Sequence, residues 1–126
     1  MGKLVANKVQ TPDGTILESF HRHDYKEYTD TLTGELCIVD GGLDYQRRSL
    51  NVKDISVTTD DPYELQREAF TWGTYGKCGT LPLQRIPLKD LTFEHIYAIL
   101  ETQKQIEGTY VEELFRKELQ YREGFL

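Results

Sequence analysis

VTTDDPYELQ, residues 57–66, is where the chain stops reading as strand and starts reading as helix. Asp61 stands where an N-cap belongs. Pro62 follows at the first helical position, where its missing N–H is harmless, and Glu64 sits at the third, against the positive end of the helix dipole. A helix is predicted to open here and to end near Phe70.

Everything before this point reads as strands and tight turns. Thr11-Pro12-Asp13-Gly14 has proline at the second and glycine at the fourth place of a turn. Residues 15–28 read as extended, with turn residues again at Thr33-Gly34. Glu35–Asp40 is the most β-like piece, carrying Leu36, Ile38 and Val39. Gly41-Gly42 follows, and two glycines supply the positive φ of a two-residue hairpin. That register places Ile38 opposite Tyr45 and Leu36 opposite Arg47. Ile55–Thr59 is a further short strand.

After residue 66 the periodicity is helical. FTWGTYGKCGTLPL, residues 70–83, reads as a glycine-rich loop edged by strand. Thr92 is the N-cap of the next helix, with Leu91 and Ile96 as the apolar pair that staples its entry. Ile96, Ile99 and Leu100 form its buried stripe. Gly108 ends it or sits in the link, and Thr109 to Glu112 is a capping box for the last helix. Val111, Leu114, Phe115 and Leu119 make the apolar face of that helix, with Glu112/Arg116 and Glu113/Lys117 as pairs on its wet side. Strands first and helices later predict an α+β fold, with antiparallel hairpins packed against C-terminal helices. There is no linker-like segment and no repeat, so one domain is expected over 1–126, strand-rich over about 4–60 and helix-rich over about 61–123.

The chain has 126 residues, 38% hydrophobic and 29% charged, the composition of a globular protein with a core of its own. No apolar run reaches the roughly 18 residues of a membrane span, and the N-terminus lacks an apolar leader segment, so a cytoplasmic location is expected. A net charge of −6 argues against broad nucleic-acid binding, which needs a basic surface. Cys37 and Cys78 show no metal or redox spacing and read as reduced thiols.

Polar chemistry concentrates in three places. HRHDYKEY, residues 21–28, sets His21, His23 and Tyr25 on one face of a predicted strand and Asp24 on the other. Two imidazoles at that spacing can chelate a metal, but Asp24 points away and no third ligand is near, so no metal is expected. VDGGLDYQRR, residues 39–48, brings Asp40, Asp44, Tyr45 and the adjacent forks of Arg47 and Arg48, which suit phosphate or carboxylate. WGTYGKCG, residues 72–79, is not a phosphate loop, because Cys78 follows Lys77 where Ser or Thr is required. It does offer Trp72 and Tyr75 for stacking and Lys77 for an anion, or else a turn whose aromatics pack under the helices.

VDGGLDYQRRS, AFTWGTYGK, LKDLTFEHIYAIL and ELQYR together resemble a family of small proteins common in tailed-bacteriophage genomes and occasional in bacteria. The resemblance covers about residues 11–123 and implies an infected bacterial cytoplasm as the setting. It implies no catalytic residue and no cofactor. In the family pattern a polar residue such as Asp stands at position 78, and Cys78 departs from it, which weakens a catalytic role for that thiol.

The leading expectation is an accessory protein that binds an anionic small molecule such as a nucleotide without catalysis. A protein-binding inhibitor or adaptor of a host protein is the alternative, favoured by the acidic balance. A small hydrolase using His21 or His23 as general base, oriented by Asp24 or Asp44, is a third. Short edge strands and an isolated C-terminal helix would also suit a homodimer.

Overall fold

The computed structural model describes residues 2–76 and 78–124. The fold is α+β, with antiparallel strands in the N-terminal part and helices in the C-terminal part. The chain divides into two compact units, Met1–Gln66 and Arg67–Leu126.

In the first unit β1 (Leu4–Gln10) is the central strand of one sheet, with β2 (Ile16–Ser19), β6 (Lys53–Asp54) and β7 (Val57–Thr58) all antiparallel to it. The second sheet runs β3 (Lys26–Thr29), β4 (Leu36–Asp40), β5 (Arg47–Arg48). Val9, Cys37, Val39 and Val52 form a buried cluster, with Leu17 packed against it. Alternation along β1 and β4 produces it, because every second side chain of a strand points the same way. Burial also holds the Cys37 thiol above its ordinary pKa, which keeps it inert.

Two turns of this unit depart from the sequence reading. Residues 15–28 do not form one strand: the chain leaves β2 at Ser19, turns through 21–25, and enters β3 at Lys26. His21, His23 and Tyr25 therefore do not share a strand face. The turn is made by side chains. The Asp24 carboxylate accepts the Phe20 N–H at 2.8 Å, and Ser19 Oγ donates to the Asp24 carbonyl at 2.6 Å. Such local bonds offer the backbone an alternative to the sheet ladder.

Gly41-Gly42 is likewise not a two-residue hairpin. Asp40 pairs with Arg47 and Val39 with Arg48, so the connection holds six residues, 41–46, not two. The expected pairings of Ile38 with Tyr45 and Leu36 with Arg47 are absent; Leu36 pairs with Thr29 of β3. Both glycines have positive φ, 107° and 56°, and the backbone folds inward between them and Tyr45.

The second unit holds the hairpin β8 (Thr71–Thr74) and β9 (Gln84–Pro87), then α2 (Phe93–Thr102) and α3 (Tyr110–Arg122). The short helix α1 (Tyr63–Ala69) opens just after Pro62, one residue later than the sequence reading, and the Asp61 carboxylate does not cap it but accepts the Thr58 N–H at 2.8 Å. Thr92 caps α2 by accepting the His95 N–H at 3.1 Å, and Leu91 and Ile96 are both buried. Thr109 precedes α3 but its side chain does not cap; the hydroxyl donates back to the Ile106 carbonyl at 2.5 Å. Leu114 and Phe115 are buried as predicted, and Phe70 and Trp72 both meet the Phe115 ring edge-on. No helix among the described residues is long and apolar enough to cross a membrane.

Candidate functional site

The turn at 21–25 and the loop at 41–46 come together, although 15 residues or more separate them in sequence. A Cβ on Gly42 would land on the backbone of His21, so only glycine lets the loops approach this closely. A Cβ on Gly41 would meet the Tyr45 carbonyl.

Buried polar groups fasten the pair. The Asn7 amide donates to the carbonyls of Asp40, Gly42 and Tyr45 at 3.1, 2.8 and 3.1 Å. Its oxygen accepts from Gln46 Nε2 at 2.9 Å. Ser19 Oγ accepts the Gly42 N–H at 2.9 Å while donating to Asp24. Asn7 and Ser19 are fully buried, and buried polar groups bonded this completely fix one loop shape. Neither residue stands out in the sequence. An asparagine in the middle of an apolar strand, LVANKVQ, was the available signal.

Around this buried frame the charged groups face water. Asp40 Oδ2 accepts from Arg47 Nη2 at 2.9 Å, and the guanidinium lies 5.9 Å from the Tyr25 ring centre. Asp40 is nearly buried, whereas the Arg47 side chain is 62% exposed. Arg22 approaches Asp44 at 3.8 Å, both well exposed. Arg48 Nε donates to Gln46 Oε1 at 3.1 Å. Tyr45, His21 and His23 are exposed.

The carboxylates have structural partners. Burial raises the Asp24 pKa, but Lys26, the Phe20 N–H and the charge of Lys26 outweigh it and hold the carboxyl below its ordinary value. Lys26 Nζ sits 2.8 Å from Asp24 Oδ1. Tyr25 is pushed above the ordinary phenol value by partial burial and by its hydrogen bond to Glu27. Neither imidazole hydrogen-bonds a carboxylate, and no three ligand-type side chains gather into a metal-binding group among the described residues.

Of the remaining sequence candidates, Trp72 and Tyr75 belong to the second unit, and Lys77 lies outside the described residues. Trp72 and Tyr75 line a hollow there together with His95, Ala98, Ile99 and Thr102. A neighbouring hollow of about 460 Å³ is bounded by Thr74, Gln84, Ile86, Thr92 and His95. Gln84 belongs to no recognisable motif, and His95 stood within LKDLTFEHIYAIL without an assigned role. Helical spacing from the Thr92 cap was the available signal for His95.

No protein-family model, curated protein or solved structure matches the chain.

Proposed function

We propose that the protein binds a small anionic molecule, a nucleotide being the reference case, on the paired loops of the first unit, and does not turn it over. One observation carries this reading. Arg47 is oriented by a nearly buried carboxylate through one nitrogen and flanked by the Tyr25 ring, while its side chain as a whole stays largely exposed. A guanidinium held from behind keeps donors to spare for a phosphate or carboxylate, and little side-chain entropy remains to be lost on binding. The buried frame under it supports the same reading, because bonding of this completeness spent on a surface loop holds that loop ready for a partner.

Binding without turnover is favoured by how the carboxylates are used. Asp24 is engaged by Phe20 and Lys26, and Asp44 faces Arg22, so neither orients an imidazole as a general base. An infected bacterial cytoplasm, suggested by the family resemblance, is the setting we propose.

Calorimetry against mono-, di- and cyclic nucleotides and inorganic phosphate tests it. Saturable heat from a phosphate-bearing ligand that disappears in Arg47→Ala is the expected result. Absence of heat and of any thermal shift across the whole panel would remove the proposal.

A further inference from the structure

We infer that the hollow between the β8–β9 hairpin and α2 is a second site, one that takes an uncharged planar heterocycle of nucleobase or nucleoside size. It lies within the second unit and goes beyond the anion reading, which rests on residues of the first.

The two walls follow from register. Trp72 pairs with Ile86 and Thr74 with Gln84, so these four side chains share one face of the hairpin. Along α2, Thr92, His95, Ala98 and Thr102 recur at three- and four-residue steps and form one stripe. The two hollows, about 460 and 330 Å³, share Thr74, Gly76, His95 and Ala98 as lining. Volumes of this order are those of small-molecule sites.

The lining decides the ligand. On the helix wall Ala98 is the small group, while Gly73 and Gly76 line the hollow with backbone, their missing side chains pointing towards Leu83 and Arg85 and towards Leu81. A slot with a flat wall of this kind suits a planar ligand. Trp72, Ile86 and Ile99 give the slot apolar surface, and Tyr75 stands exposed at its edge. Polar groups border that surface. Neither the Gln84 amide nor the His95 imidazole hydrogen-bonds another described residue, and both line the larger hollow. A primary amide matches an adjacent donor and acceptor on the edge of a base, as glutamine does with adenine. Among the described lining residues Glu94 carries the one permanent formal charge, and it is negative. The described lining therefore offers a phosphate no cation, which favours the uncharged base or nucleoside as the ligand class.

Trp72 is the single tryptophan of the chain and reports on its own site. The full-length protein is titrated with adenosine, guanosine, cytidine and uridine while indole emission is followed with red-edge excitation, where the nucleosides do not absorb. At least one nucleoside is expected to give a saturable change. Ala98→Phe, on an exposed helix position, should abolish it without lowering the melting temperature. Gln84→Ala should weaken it roughly five- to a hundredfold, as for loss of a two-pronged base contact. Arg47→Ala, which tests the anion reading, should leave it unchanged. If Ala98→Phe does not fold, Gln84→Ala on an exposed strand position decides. No saturable change with any nucleoside, a change that survives both cleft substitutions, or tighter binding of AMP than of adenosine would each overturn the inference.

Discussion

Arg67 and Glu118, 51 residues apart, form a two-pronged ion pair inside the second unit: Nε donates to Oε1 at 2.9 Å and Nη2 to Oε2 at 2.7 Å. Arg122 completes the group, with Nε 2.6 Å from Oε2 and Nη2 donating to the Leu88 and Lys89 carbonyls. Glu118 is fully buried, so its charge depends on both guanidinium groups. Truncating one member of such a group leaves uncompensated charge in a dry place. Glu118→Ala should therefore destabilise by about 3–5 kcal/mol, measured by urea unfolding. Replacing all three residues together by Met or Leu should recover most of that loss, since well-packed apolar side chains often equal a buried ion pair. A loss under about 1 kcal/mol for Glu118→Ala would mean that water reaches the carboxylate.

Gly42→Ala should separate the paired loops. The methyl group would collide with the His21 backbone, and φ at 56° disfavours alanine before any collision. About 1–3 kcal/mol of destabilisation is expected. Ser19→Ala should resemble it at about 1–3 kcal/mol, because the buried Gly42 N–H and Asp24 carbonyl both lose their partner. Imidazole NMR signals of His21 and His23 should move in both variants. Unmoved signals would show that the turn at 21–25 holds its shape without the loop at 41–46.

Acid should unfold the first unit through Asp13 and Asp30. Asp13 accepts from the Thr11 hydroxyl at 2.5 Å, from the Thr31 N–H at 2.9 Å and from Tyr28 at 2.8 Å. The Thr11 bond is the largest cause holding its carboxyl well below the usual range. Burial raises Asp30, but the N–H groups of Thr33 and Asp13 outweigh it and keep that carboxyl low as well. Between each lowered folded value and the ordinary value of 3.8 the unfolded chain binds more protons, so stability rises with pH there. The contribution is fully present above about pH 4 and is lost as pH falls through the folded values. Thermal melts should be flat from neutrality down to about pH 5 and should fall steeply below pH 4, and Asp13→Asn should flatten that limb. An acid limb of unchanged slope in Asp13→Asn would reject Asp13 as its source.

What was legible in the sequence was what neighbours in sequence decide. Thr92 capping His95, Leu91 and Ile96 closing the entry to α2, and Pro62 opening α1 all depend on contacts within a few residues. The turn at 21–25 depends instead on Ser19 bonding Gly42, 23 residues away, and no local pattern announces that. The six-residue loop was misread as a two-residue turn because the carbonyls it turns inward are held by Asn7, a residue of β1. Glu118 sits three places after Phe115 and four after Leu114, on the apolar stripe of α3, with Arg122 one turn on. That misplacement of charge was visible; its distant partner Arg67 was not.

Phe115 tests whether the second unit is organised around one ring. It is fully buried, and both Phe70 and Trp72 present edge-on contacts to it, at 5.7 and 5.5 Å between centres. Phe115→Ala removes the ring and leaves a cavity bordered by two aromatic groups that cannot both close on it, so about 3–5 kcal/mol should be lost. Phe115→Leu restores most of the volume but neither aromatic pairing, each worth about 0.5–1.5 kcal/mol beyond burial. It should therefore cost about 1–3 kcal/mol. Thr109→Ala, at the start of the same helix, makes the comparison. Its hydroxyl bonds the Ile106 carbonyl instead of capping α3, so about 0.5–1.5 kcal/mol is expected, with helix content by circular dichroism unchanged. Trp72 emission should shift in both Phe115 variants and stay fixed in Thr109→Ala. If Phe115→Leu is as stable as wild type, apolar volume and not ring geometry holds α3 against the hairpin.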